Sequence, residues 1–175
     1  MWFCKSRFPL WFSVFLIAGL MGCNYTFSTN SPTPLPPDIR SIYLEKVENP
    51  TNLSWLEFEL RSKLRDEMNK HGRVFFADRE SAQSLMRVEI ESSSIGTKLE
   101  NEHAETVRSQ AKLVLQARIF RKKDHKLLWE SGGINIRESF PGKESEENDS
   151  QVRSAREKAV EYGVEELVNR LRHGF

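Results

Sequence analysis

The longest patterned run of the chain lies between Val107 and Ile119. Val107, Ser109, Ala111, Leu113, Leu115, Ala117 and Ile119 alternate there with Arg108, Gln110, Lys112, Val114, Gln116 and Arg118. Successive side chains of a strand point to opposite faces, so this pattern predicts an antiparallel strand with one face buried and one wet. Met86, Val88 and Ile90, alternating with Arg87, Glu89 and Glu91, predict another. Arg40 to Val47 is β-like, with Ile42 and Leu44 on one side and Tyr43, Glu45 and Val47 on the other. Arg73 to Ala77 is a short apolar piece. Arg121-Lys122-Lys123-Asp124-His125-Lys126 turns the chain into a last strand, where the apolar parity changes. Leu127 and Trp129 are odd, Ile134 and Ile136 are even, and Gly132-Gly133 stands between them. One extra residue at the glycine pair, a β-bulge, accounts for the switch.

Two segments carry the helical period. Leu53, Leu56, Leu60, Leu64 and Met68 form one stripe that runs out near His71, with Gly72 placed as a C-terminal cap. Ser54 and Glu57 have capping-box spacing, and Leu53 and Phe58 fit a hydrophobic staple. The second helix begins near Ser150. Its apolar face is Val152, Ala155, Ala159, Gly163, Leu167 and Leu171, flanked by Val160, Val164 and Val168. Gly163 on that face predicts close approach to a neighbouring element. The stretch from Phe140 to Ser150, rich in Gly, Glu, Ser and Asn, reads as a mobile loop. The order is β-α-β-β-β-β-α when 73–77 counts as a strand. The expected class is α+β: a mixed, mainly antiparallel sheet of about four strands with both helices packed on one face.

The N-terminal region follows other rules. Lys5 and Arg7 precede an apolar run, Phe8 to Leu20, broken only by Pro9, Ser13 and Gly19. That is a secretory signal, too short to span a bilayer stably. Its last residues, Leu20-Met21-Gly22-Cys23, resemble a bacterial lipobox, which is cut before a cysteine already acylated on its thiol. Residues 1–22 are then a lipoprotein signal peptide, 23–38 a lipidated N-terminus and Pro-rich tether, and 39–175 a single α+β domain. An ordinary export signal would leave Cys23 incidental, but cysteine is scarce: the chain has two, and Cys4 lies in the discarded segment. The mature chain can form no internal disulfide, and no Cys or Cys/His spacing suits thiolate zinc. Asn24 follows the cysteine where aspartate retains many lipoproteins in the inner membrane, so an outer-membrane location is expected, on the periplasmic side.

Charge narrows the partners. Without Lys5 and Arg7 the 26 basic residues become 24, against 25 acidic, a net charge of −1 with histidines neutral. That balance gives no reason to expect nucleic acid. The uncovered face of the sheet would carry Arg87, Glu89, Glu91, Arg108, Lys112, Gln116, Arg118, Asn135 and Arg137, basic over acidic by five to two. It is either an ordinary solvated face or a surface for an anion, for which Arg87, Lys112, Arg118 and Arg137 are the candidates. The turn residues Arg121, Lys122, Lys123 and Lys126 are a second basic cluster, placed to meet lipid phosphates beside an acylated anchor. Trp55 lies off its helix stripe and either folds back over the first turn or anchors a partner. None of the four histidines neighbours a recognisable nucleophile, and no phosphate loop or His-Glu-x-x-His occurs. No catalytic residue, metal site or cofactor is expected beyond the covalent lipid on Cys23.

Four pieces in order resemble the LPS-assembly lipoproteins of the outer membrane. They are Gly22-Cys23-Asn24-Tyr25-Thr26-Phe27, Leu35-Pro36-Pro37-Asp38-Ile39-Arg40-Ser41-Ile42-Tyr43, Lys126-Leu127-Leu128-Trp129-Glu130, and the closing charged amphipathic helix. The resemblance implies a non-enzymatic protein that plugs a large outer-membrane β-barrel, helps it assemble, and binds lipopolysaccharide during insertion into the outer leaflet. The rival within the same architecture is a tethered pilot or activator of another envelope machine, a secretion pore or a peptidoglycan synthase.

Overall fold

Strand β4 (Thr106–Arg121) is the axis of the sheet, and its odd residues make it so: Ala111, Leu115, Ala117 and Ile119 are fully buried and Leu113 nearly so. The computed structural model describes residues 35–71, 74–100, 106–142 and 149–173. β3 (Ser84–Glu100) runs antiparallel to β4 on one side, β1 (Ser41–Glu48) lies parallel to β3, and the two-residue β2 (Phe75–Phe76) is parallel to β1. On the other side of β4 sit β5 (Leu127–Glu130) and β6 (Ile134–Pro141), both antiparallel to it. The order is β2-β1-β3-β4-β5, with β6 also on β4.

Helices α1 (Trp55–His71) and α2 (Asp149–His173) cover one face. Leu56, Leu60 and Leu64 of α1 and Leu167 of α2 are fully buried in the same core as Met86, Val88, Ile90, Leu115 and Ile119. Lys63 pairs with Glu161 and Arg153 stacks on Trp55, so equal steps along the two helices match and they run parallel. Gly163 is the close contact its position predicts. A Cβ there would stand 2.7 Å from Leu115 Cδ2.

The α+β class, the mixed sheet and the shared helical face match the expectation, with six strands where about four were expected. The difference has two sources. β2 is a two-residue addition to the edge, and β5 and β6 are one broken strand. Arg118 faces Glu130 while Leu115 faces Ile134, so one extra residue lies in the 131–133 segment, with Gly132 at φ 64°. This is the bulge the parity switch required. Ser131 holds it: its Oγ accepts from the Ala117 N–H at 2.9 Å and donates to the Gly132 carbonyl at 2.7 Å. Arg170 of α2 donates to the Ser131 carbonyl at 2.9 Å, tying the bulge to the helix end.

Several local expectations are corrected. Val47 is buried (4 % exposed) on the core side with Ile42, because Glu45 is an extra residue between the Leu44–Met86 and Lys46–Arg87 pairs. Glu91 is likewise extra in β3, which continues well past it. The capping box of α1 does not form: the Glu57 carboxylate turns to Arg61 at 3.1 Å. Chain entry is fixed instead by Asn49, whose Oδ1 accepts from the Thr51 N–H at 3.1 Å and whose Nδ2 donates to the Leu53 carbonyl at 2.9 Å. Nor does the staple close, since Phe58 is 75 % exposed. Phe140, expected in a loop, lies in β6 opposite Ser109 and is buried beside Ala111, Val152 and Ala155. The rest of that loop, 143–148, lies outside the described residues, as do Gly72 and Cys23. Leu35 and Ile39 are buried in the main core, so the last residues of the Pro-rich segment pack on the domain.

Candidate functional site

The open face of the sheet, opposite the helices, carries all four of the anion-binding candidates, and register divides them into two pairs. Arg87 faces Arg118 across β3 and β4, and Arg118 faces Glu130 of β5. Here carboxylates answer the guanidiniums. Arg87 Nε donates to Glu45 at 2.7 Å, and its guanidinium stacks 5.1 Å above the Phe120 ring. Arg118 Nε donates to Glu130 at 2.7 Å and its Nη2 to Gln116 at 2.7 Å, while Gln116 donates to Glu130 at 3.0 Å. The Glu130 hydrogen bond raises the Arg118 pKa above its ordinary value. At the edge, the hydrogen bond from Lys46 holds the Glu48 carboxyl below its ordinary value. Glu48, Glu89, Arg87, Arg118, Gln116 and Phe120 line a shallow depression on this half of the face.

The other pair is different. Lys112 and Arg137 sit directly opposite each other on β4 and β6, with Ser94 on the far side of Lys112. Both are exposed. Neither has an ion-pair or hydrogen-bond partner among the described residues. Cβ atoms of directly opposed residues are about 5 Å apart, and like charges so placed repel. A doubly negative group bound between them would relieve that repulsion, by charge-assisted hydrogen bonds that suit phosphate oxygens.

The hairpin tip also divides. Arg121 pairs with Asp124 at 3.5 Å. Lys122 Nζ donates to the carbonyls of Arg79 and, at 2.8 Å, Glu80. Lys123 and Lys126 are exposed with free amines among the described residues. The Lys126 N–H donates to Asp124 Oδ1 at 3.2 Å, and this bond together with Arg121 holds the Asp124 carboxyl below its ordinary value. Trp55 is half-buried against the core under Arg153, whose guanidinium lies 5.1 Å from the ring centroid, and Phe58 next to it carries the exposure.

One feature of this face escaped the sequence. Tyr43, Leu85, Phe120 and Leu127 are mutual register partners across β1, β3, β4 and β5, so they form an apolar row over the open face at the hairpin end. Tyr43, Leu85 and Phe120 look like isolated exceptions to their strands' alternation, whereas Leu127, expected on the same side as Trp129, is turned to the open face by the irregularity between the Ile119–Trp129 and Phe120–Leu127 pairs. Only the pairing assembles them, although Phe120, with Val114 an apolar residue on the mainly polar side of β4, was a signal.

Among the described residues no group of three or more His, Cys, Asp or Glu is placed to hold a metal. No described helix is long and apolar enough to cross a membrane.

This arrangement, a mixed sheet with two parallel helices on one face and an open polar face, is the fold of small lipoprotein domains from several bacteria. The chain is similar to a minor lipoprotein of Acinetobacter baumannii (11 % identity, TM-score 0.55, covering 78 % of this chain and 93 % of that one). It is similar also to the rare lipoprotein B of Shewanella oneidensis (12 % identity, TM-score 0.52, 75 % and 93 %). An uncharacterised lipoprotein B of Nitrosomonas europaea is a third such neighbour (14 % identity, TM-score 0.51, 75 % and 82 %). A comparison with curated proteins found no match. The model of the lipopolysaccharide-assembly family, LptE, matches residues 39–173, and the chain belongs to that family. The family is one of non-enzymatic accessory lipoproteins of lipopolysaccharide assembly.

Proposed function

We propose that this protein is a lipid-anchored outer-membrane component that plugs and helps assemble the lipopolysaccharide-translocating β-barrel, and that Lys112 and Arg137 bind a phosphate of the lipopolysaccharide. Membership of the family supports the role. The observation that carries the site is the directly opposed and unanswered pair of cations on the open face. Arg87 and Arg118, about 20 Å along the same face, are secondary contacts, since a ligand must compete there with Glu45 and Glu130. An open face bearing charges also suits a barrel lumen, which is polar and wet. The protein's contribution is binding and placement, with no bond made or broken.

The role is tested by purifying the lipidated protein from native outer membranes and identifying what co-purifies. A stoichiometric, heat-modifiable large β-barrel is the expected result. A peptidoglycan synthase or a secretion-pore subunit without a barrel would replace this reading with the tethered-activator one. The site is tested with Lys112→Glu and Arg137→Glu, each expected to weaken lipopolysaccharide binding about tenfold or more, as loss of a charge-assisted hydrogen bond of about 1.5–3 kcal/mol requires. Unchanged binding by either folded variant would remove the site.

A further inference from the structure

The hairpin tip and the root of the tether are one structural unit. The Arg40 and Ser41 N–H groups, where the chain enters β1, both donate to Gln83 Oε1, at 2.9 and 3.2 Å. The carbonyl of the same Gln83 accepts from the Lys122 N–H at 3.0 Å. Lys122 then reaches the carbonyls of Arg79 and Glu80 with its amine. One residue therefore joins the entering chain to the turn, and a side chain of the turn fastens it to the adjoining loop. Strands β1, β3 and β5 all begin at this end.

What this end presents is amphipathic. Asp124, the acid of the turn, is exposed, but its carboxylate is already held by Arg121 at 3.5 Å and by the Lys126 N–H at 3.2 Å. Lys123 and Lys126 are left with free amines among the described residues, and Leu127 beside them is 46 % exposed. Behind Leu127 the apolar row continues through Phe120 toward Tyr43. Free amines bordering an exposed apolar side chain match the boundary of a bilayer, where amines meet phosphates and apolar side chains enter the acyl region. Cys23 stands twelve positions before Leu35, a reach of roughly 40 Å at full polyproline extension. A bilayer holding the acyl chains is within range of the tip.

We propose that the domain docks on the anionic phospholipid surface that holds its anchor, through Lys123, Lys126 and Leu127. The inference rests on the lipoprotein reading of Cys23 and adds to it an orientation: the hairpin end faces the lipid, and the Lys112–Arg137 end points away.

The test uses the full lipidated protein in phosphatidylcholine vesicles with and without phosphatidylglycerol, carrying an environment-sensitive thiol probe at Leu127→Cys. Lipid-borne nitroxide reports contact. A second protein carries the probe at Asn135→Cys, on the same face roughly 20 Å along the sheet. Quenching at position 127 is expected to rise with phosphatidylglycerol and to be absent at 135. The variant Lys123→Glu/Lys126→Glu is expected to reduce it at least fivefold for each amine lost, and high salt to reduce it likewise. No quenching at 127, equal quenching at both positions, or quenching that survives the double reversal would overturn the proposal. Quenching that appears only when lipid A replaces phosphatidylglycerol would overturn its choice of lipid. Intact mass separates the two layers. Protein without acyl chains overturns the anchor and the docking together, whereas acylated protein with an unquenched tip overturns the docking alone.

Discussion

Reversing one charge of the open face should make this protein more stable while it weakens ligand binding. Lys112 lies opposite Arg137, and its other cross-strand neighbour, Ser94, is uncharged. In Lys112→Glu a repulsive pair becomes an attractive one with no buried atom disturbed. Each sign of cross-strand charge pair is worth about 0.2–1 kcal/mol, so the swing is about 1 kcal/mol, at the lower end for mobile exposed side chains. For a domain of this size that is about 2–4 °C in Tm. The assay is thermal unfolding at 10 mM and 500 mM salt, since screening should erase most of the gain. Arg137→Glu should stabilise similarly, and the double reversal Lys112→Glu/Arg137→Glu should return near the starting Tm, because repulsion is restored with the opposite sign. A Tm that falls, or a gain indifferent to salt and to the partner's identity, would refute the reasoning. Stability and binding should move in opposite directions, which separates loss of ligand from loss of fold.

Three other outcomes follow from the packing. Gly163→Ala should destabilise by up to about 2 kcal/mol, because overpacking of about 1–3 kcal/mol against Leu115 outweighs a gain of about 1 kcal/mol in helix propensity, and Leu115→Val in the same chain should recover part of it; urea unfolding of the set checks this. Ser131→Ala leaves the buried Ala117 N–H without its acceptor and should cost about 1–3 kcal/mol, with faster amide exchange at Ala117 as the local readout. Asp124 has a lowered folded pKa, so its contribution is fully present above the ordinary carboxylate value and is lost as pH falls through the folded one. Amide exchange at Lys126, corrected for intrinsic pH dependence, should therefore lose protection in that acid window, and Asp124→Ala should abolish the change.

The parts of the fold that were legible are those in which one strand carries its own record. β4 keeps small or apolar residues at every odd position from Ser109 to Ile119, so its buried face could be named residue by residue, and the parity switch at Gly132-Gly133 announced a bulge before any pairing was known. The bulges at Glu45 and Glu91 were not legible. Leu44 and Val47 are three apart, which a regular strand puts on opposite faces, and Ser92-Ser93-Ser94 offers no hydrophobic contrast to reveal a shift. The candidate cations were correctly placed on the open face, but their inequality was hidden. Glu45 answers Arg87 and Glu130 answers Arg118 from neighbouring strands, a fact of register alone. The start of α1 was misread for a related reason. Ser54 and Glu57 have suitable spacing, but Arg61 claims the carboxylate one turn on.

The bulges also mark where this chain can change length. Removing a residue from a regular strand exchanges core and solvent faces for everything beyond the cut. Deleting Glu91 would not, because it is already the unpaired one: Ser92 would still face Val114 and Ile95 would still face Ala111. The same holds for Glu45, with Val47 kept opposite Val88. A strand can therefore lose a single residue at Glu45 or Glu91 without exchanging its faces. A residue-by-residue alignment drawn without gaps through β1 or β3 would then compare inward positions of one protein with outward positions of another.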